Sequence, residues 1–338
     1  MTVPEIEIAP GYTVSRLIKG GWQTIGRADD AVDDLLDFVR AGITTFETAD
    51  SYDGGEELMG LLRTTAQNRL PADLNRKIKI HSRFTAPTLG KGPTARDITK
   101  SIDRSLKRIG VERLDLVQLQ WWNLDVPGLV EAGAILAELQ RQGKIKLVGV
   151  CNLGVDDLVT LLDAGVPVAT NQVHYSLIDR RADNQTAAFC HARGIDLMTF
   201  APLAGGFLSA AWLDARDPVG SDQRFSREFR ALIDTGGGWE VFQRLLSTLH
   251  AIAARHNLSI AQVAQRWVLQ RGPGQAILFG ASSADRLKET LPIFATSLTD
   301  QDLAEIEKAA PARSPLDVGD IERAPDSIMM QAIKEHVG

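Results

Sequence analysis

The feature that most constrains the fold is an alternation of short apolar runs with longer amphipathic stretches, repeated along the chain. Eight runs have the length and the Val, Ile and Leu content of buried strands. These predicted strands are residues 15–21, 44–47, 78–83, 114–119, 145–151, 168–171, 195–200 and 276–280. Most of the stretches between them carry apolar residues at helical spacing. The predicted helices are residues 29–41, 94–109, 128–142, 155–164, 182–193 and 283–292.

Eight strand–helix units in succession predict a parallel sheet covered by helices, which closes naturally into a barrel. We therefore predict an α/β fold, a (β/α)8 TIM barrel, with residues 1–338 as a single domain. The alternative is a doubly wound open sheet, but residues 20–23 do not provide the G-x-G-x-x-G turn that it needs. We also predict a long lid-like loop at 205–240, an extra helix at 299–310 and a tail at 311–338 that packs over one end.

Composition excludes several classes of partner. The net charge of −6 argues against a nucleic-acid partner, which would require a basic face. No apolar run is long enough for a membrane span, and the N-terminal residues lack the pattern of a secretory signal. The two cysteines, Cys151 and Cys190, do not form a disulfide framework, so we expect a cytoplasmic enzyme of small molecules. No cluster has zinc-ligand spacing, and the oligomeric state stays open.

Six segments in order along the chain resemble motifs of the aldo-keto reductases. The segment after the second strand is similar to the family pattern D-x-A-x-x-Y-G-x-x-E-x-x-(L/M)-G, with Tyr52 at the tyrosine position. The other similar segments are residues 106–116, 143–152, 171–176, 200–206 and 280–283 with 287–290. The resemblance spans most of the chain and implies a barrel of the aldo-keto reductase type.

The resemblance implies a catalytic set of tyrosine, aspartate, lysine and histidine, and this chain departs from it. Tyr52 is present, but Glu47, Arg83 and Gln120 occupy the aspartate, lysine and histidine positions. Arg83 remains a cation beside the tyrosine, although a guanidinium cannot relay a proton as an ammonium can. Gln120 keeps a hydrogen-bond donor but cannot titrate. The predicted chemistry is general acid catalysis by Tyr52 with an altered supporting set.

The resemblance also implies an NADP(H) site. Asn152 and Gln172 would hold the nicotinamide carboxamide, Cys151 would replace a cofactor-binding serine, and Phe200 would stack on the nicotinamide ring. The resemblance places Ala201, Leu203 and Gly205 along the pyrophosphate path. Backbone N–H groups at a helix start favour an anion, so Gly280, Ser282 and Ser283 would lie at the adenosine phosphate. The remaining predicted cofactor contacts are Gly21 and, at the adenosine end, Arg286, Glu289 and Thr290. Trp22, Trp121 and Trp122 lie near the predicted mouth and are predicted to line a hydrophobic substrate pocket.

Three functions follow from these residues. The first is an NADP(H)-dependent oxidoreductase that acts on the aldehyde or ketone of a hydrophobic or aromatic molecule. The second is a non-redox dehydratase, isomerase or cyclase of a biosynthetic pathway, with Tyr52, Glu47 and Asp50 as acid and base. The third is a cofactor-sensing binding subunit, which would be indifferent to loss of the Tyr52 hydroxyl.

Overall fold

Eight parallel strands close into a barrel in the computed structural model, which describes residues 2–24, 28–87, 90–218, 224–274 and 276–323. Each strand pairs with the next along the chain, and the last closes the ring on the first. Helices follow most strands and cover the outer face, so the fold is a (β/α)8 TIM barrel.

The strands comprise an N-terminal hairpin and the eight barrel strands. The hairpin is β1 (Glu5–Ala9) and β2 (Tyr12–Ser15). The barrel strands are β3 (Leu17–Gly20), β4 (Thr45–Glu47), β5 (Lys79–Thr85), β6 (Leu114–Gln120), β7 (Ile145–Cys151), β8 (Val168–His174), β9 (Asp196–Phe200) and β10 (Ala276–Phe279).

The helices pack their apolar faces onto the barrel. They are α1 (Ala28–Arg40), α2 (Gly55–Arg69), α3 (Ala72–Lys77), α4 (Ala95–Ile109), α5 (Leu129–Arg141), α6 (Val155–Asp163), α7 (Thr186–Ala192), α8 (Arg224–Thr235), α9 (Trp239–His256), α10 (Ile260–Arg271), α11 (Leu287–Thr290), α12 (Asp300–Ala309) and α13 (Asp320–Arg323). No helix of the described ranges is both long and apolar enough to cross a membrane.

The sequence predicts every barrel strand, with shifted ends, but it misses other elements. The predicted first strand began too early, because Ser15 ends the hairpin and the barrel strand begins at Leu17. The hairpin and the helices α2, α3, α8, α9, α10 and α13 were not predicted. Residues 205–240 are not a loop throughout, since α8 lies within them; residues 219–223 are outside the described part of the chain. Of the predicted tail, residues 324–338 are likewise outside it.

The interior of the barrel is apolar at one end and polar at the other. At the end where the strands begin, the hairpin packs Ile8, Tyr12 and Val14 against inward-facing apolar side chains of the barrel. Further along the strands the inward-facing residues become polar. Those with buried polar side chains are Glu47, His81, Arg83, Gln118, Gln120, Thr170 and Gln172. The polar layer therefore lies toward the strand ends, where barrels of this kind carry their active sites.

His81 joins the two layers and makes stability dependent on pH. Its Nε2 lies 3.1 Å from the hydroxyl of Tyr12. Burial, with the nearby charge of Lys79, lowers the pKa of His81 to about 3. An unfolded histidine titrates near about 6.5, so below that pH the unfolded chain takes up a proton that the folded chain refuses. The contribution of neutral His81 is complete above about pH 6.5 and is lost as the pH falls toward 3.

We therefore expect His81→Gln to weaken the acid sensitivity of the fold. Between pH 7 and pH 5 the wild-type free energy of unfolding should fall by roughly 2 kcal/mol more than that of the variant. Urea unfolding at both pH values measures the difference. The matched control is His250→Gln, since His250 is exposed on α9. Equal pH dependence in wild type and His81→Gln would contradict the assignment.

Candidate active site

The four predicted catalytic residues meet at the strand ends. Glu47 ends β4, Arg83 lies on the adjacent β5, and Gln120 ends β6. The register pairs Thr85 of β5 with Gln120, so that strand alternation turns Arg83 and Gln120 to the same inner face. Tyr52 comes from the loop after β4 and completes the set.

Arg83 is the centre of this group. Its Nη2 donates to Oε1 of Glu47 in a short charged contact, and its Nη1 donates to Oε1 of Gln120 over 3.1 Å. The hydroxyl of Tyr52 is near enough to the same guanidinium for each group to shift the pKa of the other. Arg83 and Glu47 are 7% and 3% exposed, so the pair is held away from bulk water, where electrostatic interactions are strong.

The charges of this buried group shift each other's ionisation. Burial raises the pKa of Glu47, although Arg83 and the backbone N–H of Gly21 oppose that shift. Burial disfavours the charge of Arg83, but Glu47 and Tyr52 outweigh it and raise the pKa of Arg83. Burial, followed by the negative charge of Glu47, raises the pKa of Tyr52 above its usual value, and Arg83 only partly offsets this. Tyr52 is therefore a neutral phenol near physiological pH.

Tyr52 packs closely against the backbone of Gly55, which limits where its side chain can lie. A side chain at Gly55, the first residue of α2, would place its Cβ 2.9 Å from Cβ of Tyr52 and 2.7 Å from Oγ1 of Thr48. The ring of Tyr52 meets the ring of Trp22 edge to face, with centroids 5.4 Å apart. Trp22 is 52% exposed, so part of its ring is accessible beside Tyr52.

The three tryptophans predicted to line the pocket have different environments. Trp121 is only 2% exposed, and its Nε1 donates to the backbone oxygen of Val126 over 3.0 Å. It belongs to the hydrophobic core, so its prediction as a pocket residue is wrong. Sequence alternation had turned Trp121 away from Gln120, so the outward direction was readable in advance. Trp22 and the half-buried Trp122 remain candidate pocket residues.

Asp50, considered as an acid or base, has a structural role. One carboxylate oxygen accepts from the backbone N–H of Thr85 over 3.1 Å, and the other accepts from Oγ of Ser101 over 2.8 Å. The side chain thereby ties the loop that carries Tyr52 to β5 and α4. With both oxygens engaged in this way, Asp50 gives no support to a non-redox mechanism.

The residues predicted to hold the nicotinamide lie at the ends of three neighbouring strands. Cys151 ends β7 and is followed by Asn152, Gln172 lies on β8, and Phe200 ends β9. Oε1 of Gln172 accepts from Nε2 of Gln118 over 2.7 Å, which leaves the amide N–H groups of Gln172 as its donors. Burial raises the pKa of Cys151 to about 11, so its thiol is not an activated nucleophile.

The next part of the predicted cofactor path is a tight turn after β9. Ala201 and Gly205 have positive φ values of 56° and 63°, and Leu203 lies between them. A Cβ at Gly205 would lie 2.5 Å from the ring of Phe229, so this position requires glycine for space as well as for backbone conformation. The turn brings backbone rather than side chains to the surface along the predicted pyrophosphate path.

The predicted adenosine end follows β10. Gly280 is covered by the side chain of Gln23, whose Nε2 would lie 2.4 Å from a Cβ added there. Ser282 and Ser283 precede a short helical turn, and the first N–H of that turn, from Ala284, donates to the carboxylate of Asp34 over 2.9 Å. An acidic side chain therefore occupies one of the amides predicted to attract a phosphate.

The remaining predicted adenosine contacts are two exposed side chains, those of Arg286 and Glu289, and the buried Thr290. Nη1 of Arg286 contacts Oε2 of Glu289 over 2.6 Å, and both side chains are exposed. The hydroxyl of Thr290 donates to the backbone oxygen of Arg286 over 2.9 Å. The pair of Arg286 and Glu289 would have to open, or share its cation, to receive a phosphate.

Sequence reasoning missed three residues that support the site. Gln118 faces the interior beside Arg83 and orients Gln172, which its spacing of two from Gln120 could have indicated. Glu322 and Arg323 reach the site from the C-terminal segment. No periodic signal could have identified them, because their partners are more than a hundred residues away in the chain.

Comparisons with known proteins show the family of the chain and support its fold. A model described as the aldo/keto reductase family matches residues 16–311. A probable aldo-keto reductase of Glycine max is 26% identical over 312 residues, which cover 89% of this chain and 87% of the relative. The NADH-specific methylglyoxal reductase of Escherichia coli K12 is 25% identical over 327 residues, covering 89% of this chain and 96% of the relative. The structure of a glycerol dehydrogenase from Gluconobacter oxydans matches in fold with a TM-score of 0.72, at 23% identity, over 94% of this chain and 97% of that chain.

Proposed function

Because this chain belongs to the aldo/keto reductase family, we propose that it is an NADP(H)-dependent oxidoreductase that reduces an aldehyde or ketone of a hydrophobic or aromatic small molecule. The observation that carries the proposal is the convergence of Glu47, Tyr52 and Gln120 on the guanidinium of Arg83. All four side chains lie where parallel barrels present their reacting groups.

The residues predicted to contact the cofactor are compatible with a dinucleotide. Gln172 has its oxygen engaged by Gln118, so its amide offers donors to a carboxamide oxygen. Phe200 is half-buried and supplies an aromatic ring at the end of β9, and Gly205 keeps the following turn compact, since a side chain there would meet the ring of Phe229. A bound nicotinamide would supply the hydride. The protein itself must bind the cofactor, orient the substrate carbonyl and deliver a proton.

Tyr52 would deliver that proton. Its raised pKa, caused first by burial and then by Glu47, keeps the phenol protonated while the substrate binds. When hydride reaches the carbonyl carbon, the carbonyl oxygen becomes an alkoxide, which is a far stronger base than a phenolate. Proton transfer from Tyr52 to that oxygen is therefore favourable despite the raised pKa. The phenolate that remains would lie beside the cation of Arg83, which stabilises it.

Gln120 would orient the substrate. Arg83 can only donate hydrogen bonds, so the atom of Gln120 that it contacts must be the oxygen. The amide N–H groups of Gln120 then remain as donors for the carbonyl oxygen of a substrate. The amide of Gln120 would polarise the substrate carbonyl but cannot give up a proton, so the chemistry depends on Tyr52 as the acid.

The exposed ring of Trp22 supports the proposed substrate class. It stands edge-on to Tyr52 and is half exposed, and the half-buried Trp122 follows β6 two residues after Gln120. Two large aromatic surfaces beside a proton donor favour an apolar or aromatic carbonyl compound over a sugar phosphate.

The proposal of NADP(H) rests on Arg286, an exposed cation beside the predicted adenosine end. A 2′-phosphate would compete with Glu289 for this guanidinium, and a bidentate phosphate contact favours arginine. The E. coli relative is named as NADH-specific, so NADH is the comparison cofactor. We expect tighter binding of NADPH than of NADH, and near-equal binding after Arg286→Ala.

The test is cofactor consumption. Purified protein is given NADPH or NADH with a panel of aromatic and aliphatic aldehydes and ketones, including methylglyoxal, and nicotinamide absorbance and products are followed together. We expect loss of NADPH absorbance with stoichiometric alcohol formation. Product formed at constant absorbance would identify a non-redox enzyme instead. Absence of any turnover by protein that demonstrably binds NADPH would overturn the proposal.

A further inference from the structure

The C-terminal segment 313–323, which we call the strap, lies across the loops that follow β7 and β8. The carboxylate of Asp317 is its main anchor: it accepts from the backbone N–H of Val155 over 3.1 Å and from Oγ1 of Thr186 over 2.5 Å. Nδ2 of Asn184 donates to the backbone oxygens of Ser314 and Leu316 over 2.8 and 3.0 Å. The strap thus joins the two loops next to Asn152 and His174.

Beyond Asp317 the strap contacts the backbone of Asn152. Nη1 of Arg323 donates to the backbone oxygen of Asn152 over 2.9 Å, and its Nη2 lies 3.2 Å from Oδ2 of Asp157. A Cβ at Gly319 would lie 2.5 Å from that same oxygen of Asn152 and 2.4 Å from Nη1 of Arg323. With its φ of 85°, Gly319 is required both for space and for conformation. The strap therefore fits closely against the backbone of Asn152, and a side chain at position 319 would prevent this fit.

Arg323 binds a carbonyl that the barrel has left without its ladder partner. The N–H of Asn152 donates to the oxygen of Gln172, so regular parallel pairing would make the N–H of His174 donate to the backbone oxygen of Asn152. Instead it donates to the side-chain Oδ1 of Asn152 over 3.2 Å. Asn152 has a φ of 56°, and its backbone oxygen is directed to Arg323. The side chain of Asn152 is thus oriented from one side by His174 and its peptide from the other by Arg323.

A second anchor of the strap reaches the same place. Both carboxylate oxygens of Glu322 accept from Arg181, over 2.6 and 2.9 Å. Arg181 also donates to both oxygens of Asp179, over 2.6 and 2.8 Å, and Oδ2 of Asp179 lies 2.5 Å from Nδ1 of His174. The ring of His174 meets that of Phe200 edge to face, with centroids 5.0 Å apart.

This cluster is an ion network in which the strap supplies one of the charges. The ligand atoms of His174, Asp179 and Glu322 lie within 4.8 Å of one another, a spacing that a metal ion could bridge. The guanidinium of Arg181 already bonds both carboxylates, and a buried carboxylate pair is compensated when a cation binds it in this way. The network holds the ring of His174, which lies against Phe200.

We propose that the docked strap positions the nicotinamide half of the cofactor site, with Arg323 as the positioning residue for Asn152. The inference rests on the proposed function only in that Asn152 holds the nicotinamide end of the dinucleotide. Arg323 touches neither cofactor nor substrate; it acts through the peptide and side chain of Asn152. The adenosine end follows β10, which is separated from β7 by two barrel strands, so the strap should leave that end unchanged.

The experiment compares two ligands that differ only in the nicotinamide ring. Binding of NADPH and of 2′-phospho-ADP-ribose is measured by calorimetry on the full chain. Arg323→Ala removes a charge-assisted hydrogen bond, and we expect it to weaken NADPH binding by about tenfold. Binding of 2′-phospho-ADP-ribose should change by less than about twofold. Gly319→Ala, which displaces the strap without removing a charge, should give the same split between the two ligands.

The control is Arg313→Ala on the same strap. Arg313 makes exposed ion pairs with Glu307 and Asp183 and no contact with Asn152 that the structure records, so both affinities should stay at wild-type values. Unchanged NADPH binding in Arg323→Ala and Gly319→Ala would overturn the inference, as would an equal loss of both ligands, which indicates general loosening of the fold. Failure of the wild-type chain to bind NADPH would refute the proposed function itself.

Discussion

Tyr52→Phe is expected to lower kcat/KM for carbonyl reduction by a factor of roughly 100 to 10,000, the range contributed by a positioned general acid. The substitution removes one oxygen and keeps the ring that packs against Trp22. Cofactor binding should change by less than about threefold, because the substitution keeps the ring of Tyr52 and removes only its hydroxyl, which is not among the predicted cofactor contacts. Steady-state kinetics with NADPH, together with a binding isotherm, measure both quantities.

The chain offers a matched control for this variant. Tyr175→Phe also removes one hydroxyl, which donates to Asp183 over 3.0 Å outside the catalytic group. Its kcat/KM should remain near the wild-type value. A Tyr52→Phe protein with undiminished turnover would show that another group donates the proton. If the wild type lacked turnover, and the wild type and Tyr52→Phe bound NADPH equally, a cofactor-sensing role would be favoured.

Removal of Glu47 is expected to destabilise the fold more than removal of Arg83. Breaking a buried ion pair from one side typically costs about 3–5 kcal/mol, because the other charge stays buried. The two residues differ in whether they can become neutral when the partner is removed. After Arg83→Met, the Glu47 carboxyl can become neutral, since burial already raises its pKa and the cation that opposes this shift is gone. After Glu47→Leu, the Arg83 guanidinium cannot lose its proton and keeps its charge in a site that is 7% exposed.

A double-mutant cycle tests this difference. We expect the free energy of unfolding to fall by about 3–5 kcal/mol in Glu47→Leu, by less in Arg83→Met, and to recover in part when both substitutions are combined. Urea unfolding at neutral pH measures all four proteins. Additive losses in the double variant would contradict a direct pair, and equal losses in the single variants would contradict the argument from neutralisation.

Composition and periodicity determined the architecture of this protein because strands and helices leave local signals. Runs such as Ile145–Cys151 and Leu114–Gln120 carry the apolar pattern of buried parallel strands, and eight of them in alternation leave few topologies open. The motifs around Tyr52 identified the family, which the family model confirms.

Tertiary structure alone decided which polar groups are partners. The pairing of Arg83 with both Glu47 and Gln120 and the engagement of Asp50 by Thr85 and Ser101 depend on distances between separate elements of the folded chain. The N-terminal hairpin and the strap have short, weakly periodic sequences that acquire structure by covering the two ends. Contacts such as Glu322 with Arg181 join residues 141 positions apart. Local sequence carries no record of such contacts, because chain folding rather than spacing creates them.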